Sequence, residues 1–367
     1  MNKYMEGYFD NRTLAHIDAV YAWKHGLYFP PVFLEVDPTT RCMQNCIFCY
    51  VNKRDMPNTS LTDEKLIDIF RQAGEIGVHT ILIQGAGEPL LHRALPEAID
   101  MGWKYKLPMG LVTNGVMLNR PMQEKILAKL AFARFSVLDF DRKRYAAVHG
   151  CNEKQCDMVI DNIKTAIEYR EKNKLMTPIW GTIYPNEYTI DHIYDICKYF
   201  KDMGIDYLAV NEASYNAFGT SGKKSYYSAL VSKEKNKYIR DQIMSLCDDN
   251  FKVTMRFPIH DDSFCHGRTK ETYIKGQCQG IKFQPTITAA GEVIPCWRAW
   301  GNNELSYGNI YEHTLDEIWH SERRQKIEKY ILDTPPEGDE CTICNPSKTN
   351  TQLEKTTKEN RWRGFLM

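Results

Sequence analysis

Cys42, Cys46 and Cys49 stand within one eight-residue stretch, CMQNCIFC, directly after an apolar run that reads as a strand. Three thiolates from one short loop can hold three irons of a [4Fe-4S] cluster, and with no fourth cysteine nearby one iron keeps an open coordination position. The same thiolates suit a structural zinc ion that borrows a fourth ligand such as His25 or His92. A second, spread-out group comprises Cys278, Cys296 and the Cys341-Thr-Ile-Cys344 pair. A hairpin can bring 278 and 296 together, and the later pair can fold back to complete four thiolates. Such a closed set describes an auxiliary cluster or a structural zinc site equally well. The remaining cysteines, Cys151, Cys156, Cys197, Cys247 and Cys265, are scattered; Cys197 reads as helix packing, and Cys151, Cys156 and Cys265 as inert loop thiols, with hydrogen-atom donation in an epimerisation as their alternative.

The elements that must position these groups follow from the hydrophobic pattern. Six short apolar runs rich in β-branched residues, at 31–37, 79–84, 107–113, 133–138, 178–184 and 205–211, alternate with segments of helical period. Alternation of this kind predicts β/α units and a parallel sheet. Thr62-Asp63-Glu64 supplies a cap and two carboxylates to the first of the helices, and further helices are expected at 94–104, 120–131, 155–173 and 188–203. Six units are too few to close an eight-stranded barrel, so the expected shape is an open, partial (β/α)6 barrel with its site at the C-terminal strand ends.

Residues 1–30 read as an N-terminal helical extension, 31–250 as the partial barrel, 251–345 as a small second domain and 346–367 as a polar tail. In the second domain FQPTITAAGEVIPCW reads as a hairpin around Ala290-Gly291, and TLDEIWHSERRQKIEKYIL as an amphipathic helix.

Strand two is followed by Gly85-Ala86-Gly87-Glu88-Pro89, a glycine-rich turn on the same strand-end face as the cysteine loop, where backbone can approach a ligand closely. Together with CxxxCxxC, in which the aromatic Phe48 precedes the third cysteine, this turn makes the chain resemble the radical SAM superfamily. The resemblance extends through LEVDPTTRC, Thr113-Asn114-Gly115 after strand three and the Ser136/Asp139 region after strand four. It departs from the common pattern at Ala86, in place of a second glycine, and in the Ser136-Val-Leu-Asp139 spacing.

The resemblance implies that the open iron of the cluster chelates S-adenosylmethionine, which is reductively cleaved to a 5′-deoxyadenosyl radical that abstracts a substrate hydrogen. It implies cofactor contacts from Phe48, Gly85, Ala86, Gly87, Glu88, Pro89, Asn114 and Ser136. The C-terminal group, with GNIYEHTLDEIW after its second cysteine, resembles the twitch or SPASM extension of these enzymes. Four cysteines match the single-cluster twitch form, and their spacing is similar to that of 2-deoxy-scyllo-inosamine dehydrogenase. By that similarity the expected reaction is a two-electron oxidation of an aminocyclitol or sugar, assisted by an auxiliary [4Fe-4S] cluster and fed by a flavodoxin- or ferredoxin-type reductant. Glu212, Asn211, Tyr184 and Arg142, with Asn186 and His149, are the candidates for substrate contact, Arg142 and His149 being read in the loop after strand four.

Composition narrows the field further. Lys plus Arg equals Asp plus Glu at 47 each, which removes a global basic field and makes a nucleic-acid substrate a distant reading. No apolar stretch reaches the length of a membrane span, and the N-terminus lacks a signal-peptide core, so a cytoplasmic enzyme is expected. The rival readings are an enzyme that crosslinks, epimerises or oxidises a ribosomally made peptide, and a non-enzymatic zinc or iron-sulfur scaffold or electron carrier.

Overall fold

The computed structural model describes residues 16–47, 49, 57–136, 139–211, 232–256, 275–296, 299–335, 349–350 and 353, without the side chains of Lys233 and Arg256. Phe48, Glu212, Cys341 and Cys344 lie outside the described residues.

Each predicted apolar run forms a strand: β1 (Phe33–Val36), β2 (Thr80–Ile83), β3 (Met109–Thr113), β4 (Phe132–Phe135), β5 (Ile179–Ile183) and β6 (Tyr207–Asn211). Between them lie α2 (Asp63–Ile76), α3 (Leu95–Lys104), α4 (Arg120–Ile126), α5 (Arg142–His149), α6 (Lys154–Lys172) and α7 (Ile193–Met203), preceded by α1 (Ile17–Lys24). The run at 251–257, which the sequence put beyond a boundary near residue 250, instead continues the sheet. After α8 (Lys233–Met244), strand β7 (Lys252–Arg256) pairs parallel with β6 from Tyr207↔Lys252 to Asn211↔Arg256.

On the other side of β1 stands the C-terminal hairpin of β8 (Thr286–Ile287) and β9 (Glu292–Ile294), followed by β10 (Gly308–Asn309). Gly291 turns the hairpin at φ +84°, a conformation that favours glycine. The ten strands run in the order β10-β9-β8-β1-β2-β3-β4-β5-β6-β7, an open sheet with no pairing between its two ends among the described residues.

Two local expectations are corrected. Residues 142–149, read as a loop, form helix α5, because the Asp141 carboxylate accepts from the Lys143 and Arg144 amides and Tyr145, Val148 and His149 recur at helical spacing on its buried side. The predicted long C-terminal helix is two helices, α9 (Leu315–His320) and α10 (Glu322–Asp333), broken at an extended Ser321 whose hydroxyl caps the second by accepting from the Arg324 amide.

From β1 to β7 each strand is laid down beside its predecessor, and right-handed crossovers then put the connecting helices on one face. That face is apolar: Leu34, Val36, Ile81, Ile83, Met109, Leu111, Ala133, Phe135, Leu208 and Val210 are buried in one core with the helices. The pleat turns the alternate residues to the helix-free face, and register lines them up: Glu35 beside Leu82 and Thr286, Val112 beside Arg134, Arg134 beside Trp180, and Thr182 beside Ala209. Phe132, Trp180 and Tyr207 close the N-terminal end of this inner face as an aromatic floor, with Phe132 stacked on Trp180 at 4.2 Å. Above the floor the inner face is polar and buried, with Glu35, Asp37, Thr182 and Thr286 each at most 2% exposed.

Phe132 reaches its place only because residue 110 lacks a side chain; a Cβ there would stand 2.3 Å from the Phe132 ring. Replacing Gly110 by Ala is expected to lower stability by about 1–3 kcal/mol through overpacking. Chemical denaturation should show the midpoint falling while the slope stays unchanged.

Candidate cluster and cofactor site

The cysteine loop leaves the C-terminal end of β1 and has no regular structure of its own, so its backbone groups must find partners elsewhere. Two neighbours supply them. The amides of Asn45 and Ile47 donate to the carbonyls of His149 and Val148 at 3.0 and 2.9 Å, which satisfies carbonyls that the end of α5 leaves without helical partners. On the other side the Glu88 amide donates to the Arg41 carbonyl at 2.8 Å. Both contacts depend on glycine. A Cβ at Gly150, which sits at φ +57°, would meet the Asn45 carbonyl oxygen at 2.3 Å, and one at Gly87 would meet that of Arg41 at 2.2 Å.

The 85–89 turn is tied down from below. Glu88 is fully enclosed, and its carboxylate accepts from the Thr113 hydroxyl at 2.6 Å, the Asn114 amide at 2.7 Å and the Leu90 amide at 3.1 Å. Burial raises its pKa, while the three donors pull it back. Glu88 therefore joins the turn to the end of β3, and its oxygens are turned inward. Gly85 lies against Asp37, whose Oδ1 would be 2.4 Å from a Cβ there, so the turn sits directly on the last buried carboxylate of the β1 segment. Ala86 and Pro89 are buried in the same turn.

Asn114 faces the cysteine loop: its side-chain NH2 lies 3.0 Å from Met43 Sδ and 3.8 Å from Cys42 Sγ, and its Oδ1 accepts from the Val116 amide. Ser136 ends β4 with its amide donating to the Thr113 carbonyl. Asp139 is fully buried and paired with the Arg144 guanidinium, so it anchors the entry to α5.

The donor set fits an iron-sulfur cluster. Burial, then the neighbouring Cys49 and Cys42, push the Cys46 thiol well up, so this sulfur ionises readily only beside a positive metal centre. Of the borrowed ligands in the zinc reading, His92 turns Nε2 to the Leu61 carbonyl at 2.8 Å and keeps a buried Nδ1 with no partner among the described residues, and His25 packs at a tilt against Tyr21 at the end of α1. Among the described residues no three His, Cys, Asp or Glu side chains are grouped as ligands of a single ion. A cube that takes one thiolate per iron spaces its ligands more widely than one ion does.

Behind Cys46 lies a network that the sequence did not disclose. Gln44 donates through Nε2 to the Tyr145 hydroxyl and to Gln155 Oε1, and its Oε1 lies 2.9 Å from His149 Nδ1. That nitrogen is also 3.3 Å from Cys46 Sγ. His149 is wholly buried, stacked on Tyr145 with ring centres 4.0 Å apart, and burial pushes its pKa down to about 3. Its helical i, i+4 spacing from Tyr145 is the only sequence signal, and the 103-residue separation from Cys46 hides the contact.

The substrate candidates are dispersed. Arg142 is 63% exposed and bonded through Nε to Asp157 at 2.7 Å, an ion pair on the outer surface. Asn186 is buried and occupied with its own turn, donating to the Tyr184 carbonyl and accepting from the Tyr188 amide. Tyr184 follows β5, half-buried against the core. Asn211 ends β6 on the inner face with a buried Oδ1 that has no partner among the described residues. Glu35 and Asp37, unflagged by the sequence reading, bring carboxylates to that face, and burial and then the Glu35 charge raise the Asp37 pKa. A charged residue at every second position of an otherwise apolar parallel strand was the available signal.

The second cysteine group is partly described. Cys278 precedes a 3-10 turn at Gln279–Lys282, and Cys296 follows β9. Because β8 runs parallel to β1 and β9 runs back, with Thr286 opposite Ile294, both cysteines lie toward the N-terminal end of the β1–β8 pair. The Cys42 loop leaves the opposite end, roughly 13 Å away along four strand residues.

The Gly87 contact is backbone against backbone and has no side chain that can yield. Gly87→Ala is expected to displace the Arg41–Cys42 segment, to lower the iron content by the share of the Cys42-loop cluster and to abolish S-adenosylmethionine binding, read by iron analysis and calorimetry after anaerobic reconstitution. Glu88→Ala leaves buried donors unpaired and is expected to cost about 1–3 kcal/mol for each, read by thermal unfolding.

Comparison with known proteins places this geometry in context. Residues 36–182 match the Radical SAM superfamily, and residues 278–345 match the SPASM iron-sulfur cluster-binding domain. A probable GTP 3′,8-cyclase of Thermoplasma volcanium is 26% identical over 306 residues, covering 80% of this chain and 88% of its own. A PqqA peptide cyclase of Granulibacter bethesdensis is 22% identical over 298 residues, 79% of this chain and 74% of its own. In fold, the chain is similar to Streptococcus suis SuiB bound to S-adenosylmethionine, with a TM-score of 0.64, 20% identity, and 95% and 78% of the two chains covered. It is also similar to anSMEcpe with bound AdoMet, at a TM-score of 0.58, 16% identity, and 92% and 95% coverage. Among the described residues no helix is long and apolar enough to cross a membrane.

Proposed function

From the premise that this chain is a radical SAM protein carrying an SPASM-type iron-sulfur domain, we propose that it oxidises a polar, hydroxyl-bearing small molecule, an aminocyclitol or sugar, by two electrons. The bound cofactors supply one-electron cleavage of S-adenosylmethionine and the hydrogen-abstracting 5′-deoxyadenosyl radical, with an auxiliary cluster as the electron acceptor. In this reading Cys42, Cys46 and Cys49 hold the first cluster, Cys278, Cys296, Cys341 and Cys344 hold the second, and the Gly85–Pro89 backbone receives the methionyl end of the cofactor.

The observation that carries the substrate class is the inner face of the sheet. It is enclosed and polar, with Glu35, Asp37, Thr182, Asn211 and Thr286 above a floor of Phe132, Trp180 and Tyr207. Buried oxygens of Thr182, Asn211 and Thr286 have no hydrogen-bond partner among the described residues, and an ammonium- and hydroxyl-rich ligand satisfies such acceptors, and the Asp37 carboxylate beside them, where an apolar one leaves them unpaired. The aromatic floor bars water from below. The Cys42 loop leaves one end of the β1–β8 pair and Cys278 and Cys296 lie toward the other, so in this reading a substrate on the inner face has the hydrogen-abstracting cofactor at one end and an electron acceptor at the other. The reductant in this reading is of flavodoxin or ferredoxin type, and the setting is the cytoplasm.

The second reading is modification of a ribosomally made peptide, which similarity to PqqA peptide cyclases favours. One experiment separates the two: 5′-deoxyadenosine release by anaerobically reconstituted, reduced protein, supplied with host extract divided into small-molecule and peptide-sized fractions. Stimulation by the small-molecule fraction is the expected result, with at least a tenfold drop on Asp37→Asn. Stimulation by the peptide fraction alone overturns the sugar or cyclitol reading.

A further inference from the structure

We propose that His149 donates its Nδ1–H to the Cys46 sulfur once that sulfur ligates the cluster, and thereby raises the cluster's reduction potential. The inference rests on the reading that Cys42, Cys46 and Cys49 hold the cluster.

His149 reaches Cys46 from the last turn of α5, with Nδ1 3.3 Å from Sγ. The loop and helix are fixed to one another by two backbone hydrogen bonds, Asn45 to the His149 carbonyl and Ile47 to that of Val148, and by the absence of a side chain at Gly150. The imidazole plane is held by stacking on Tyr145. Position and orientation are therefore set by the protein before any cluster arrives.

The proton inventory decides the tautomer. A ligating thiolate carries no hydrogen and can only accept, so Nδ1 must be the protonated nitrogen if it is to face sulfur without lone-pair repulsion. The Gln44 amide is oriented to match: its Nε2 points to the Tyr145 hydroxyl and Gln155 Oε1, leaving Oε1 toward His149 at 2.9 Å. Nδ1–H is thus shared between two acceptors, one of them the cluster ligand. Gln44 lies between Cys42 and Cys46 in the loop itself, so the chain that supplies the thiolates also orients the donor to one of them.

A hydrogen bond to a ligand sulfur offsets negative charge, and the reduced cluster carries one more negative charge than the oxidised form. The donor therefore favours reduction. Because the site is buried, the interaction is weakly screened and its effect on a one-electron potential is correspondingly large. His149 is in this account a positioning and tuning residue that makes no contact with substrate.

The test is an EPR-monitored redox titration of the full-length, anaerobically reconstituted protein, following the reduced-cluster signal that changes on adding S-adenosylmethionine. That change separates the Cys42-loop cluster from the auxiliary one. His149→Phe keeps a ring against Tyr145 and removes the N–H. At a fixed solution potential the variant is expected to show about a tenfold lower reduced-to-oxidised ratio, equivalent to about 59 mV for one electron.

An unchanged midpoint at full iron content overturns the proposal. If the variant does not load iron, the wild-type protein is grown with nitrogen-labelled histidine and its reduced cluster is probed by pulsed EPR. A histidine nitrogen coupled to the spin is the expected result, and none within detection overturns the proposal. Absence of iron from the wild-type protein, or its full retention in a Cys42/Cys46/Cys49→Ala variant, refutes the underlying cluster reading instead.

Discussion

The cysteine loop lacks a hydrogen-bonding ladder of its own and takes its shape from backbone-to-backbone contacts with two neighbours. On one side the 85–89 turn approaches so closely that Gly87 has no room for a Cβ beside Arg41. On the other, the end of α5 accepts two loop amides and presses Gly150 against Asn45. Backbone amides outside regular structure need partners, and the ones found here make loop, turn and helix end one unit. Glu88 extends that unit to β3 through three hydrogen bonds, and Asp37 lies beneath it.

Sheet order explains why this unit faces a polar interior. Consecutive parallel strands with same-handed crossovers send all the connecting helices to one side. The pleat then sorts each strand, sending Leu34 and Val36 to the helices and Glu35 to the inner face. Aromatic rings fill the far end, where Gly110 makes room for Phe132. Chemistry is thus confined to the strand ends that carry the cysteine loop and the glycine-rich turn. The hairpin of β8 and β9 adds to the β1 edge and brings Cys278 and Cys296 to the other end of the same strand pair.

Much of this was legible in the sequence, because strand residues and close-range motifs leave local signatures. The six β-branched runs, the Ala290-Gly291 hairpin, the loop that carries Cys42 and Cys46, and the GAGEP segment fall where the pattern put them. What escaped depends on contacts far apart in the chain. Helix α5 is short and mostly polar, and its cap and three inward residues are a weak signal against the Arg/Lys-rich surface. At Ser321 the inward stripe changes side, from Leu315, Ile318 and Trp319 to Ile327 and Ile331, nine residues separating Ile318 from Ile327, and that phase shift was the overlooked signal of a break. Strand β7 looked like the start of a new domain because its parallel partner lies some forty-five residues earlier, as in Tyr207↔Lys252. The resemblance assigns the backbone of the Glu88 turn to the cofactor and says nothing of its side chain, whose oxygens serve Thr113, Asn114 and Leu90; motif membership does not say which way a side chain turns. Arg142 was grouped with the substrate candidates, and its partner is the surface Asp157.

The central claim is that the Cys42 loop and the Gly85–Pro89 turn together present an open iron site to S-adenosylmethionine. The most direct measurement is electron-nuclear double resonance on the reduced protein with S-adenosylmethionine isotopically labelled in its methionyl amino nitrogen and carboxylate oxygens. The account predicts hyperfine coupling of both labels to the cluster in the native chain and none when Cys42, Cys46 and Cys49 are replaced by Ala. A cluster-loaded native protein that shows no coupling to either label contradicts it.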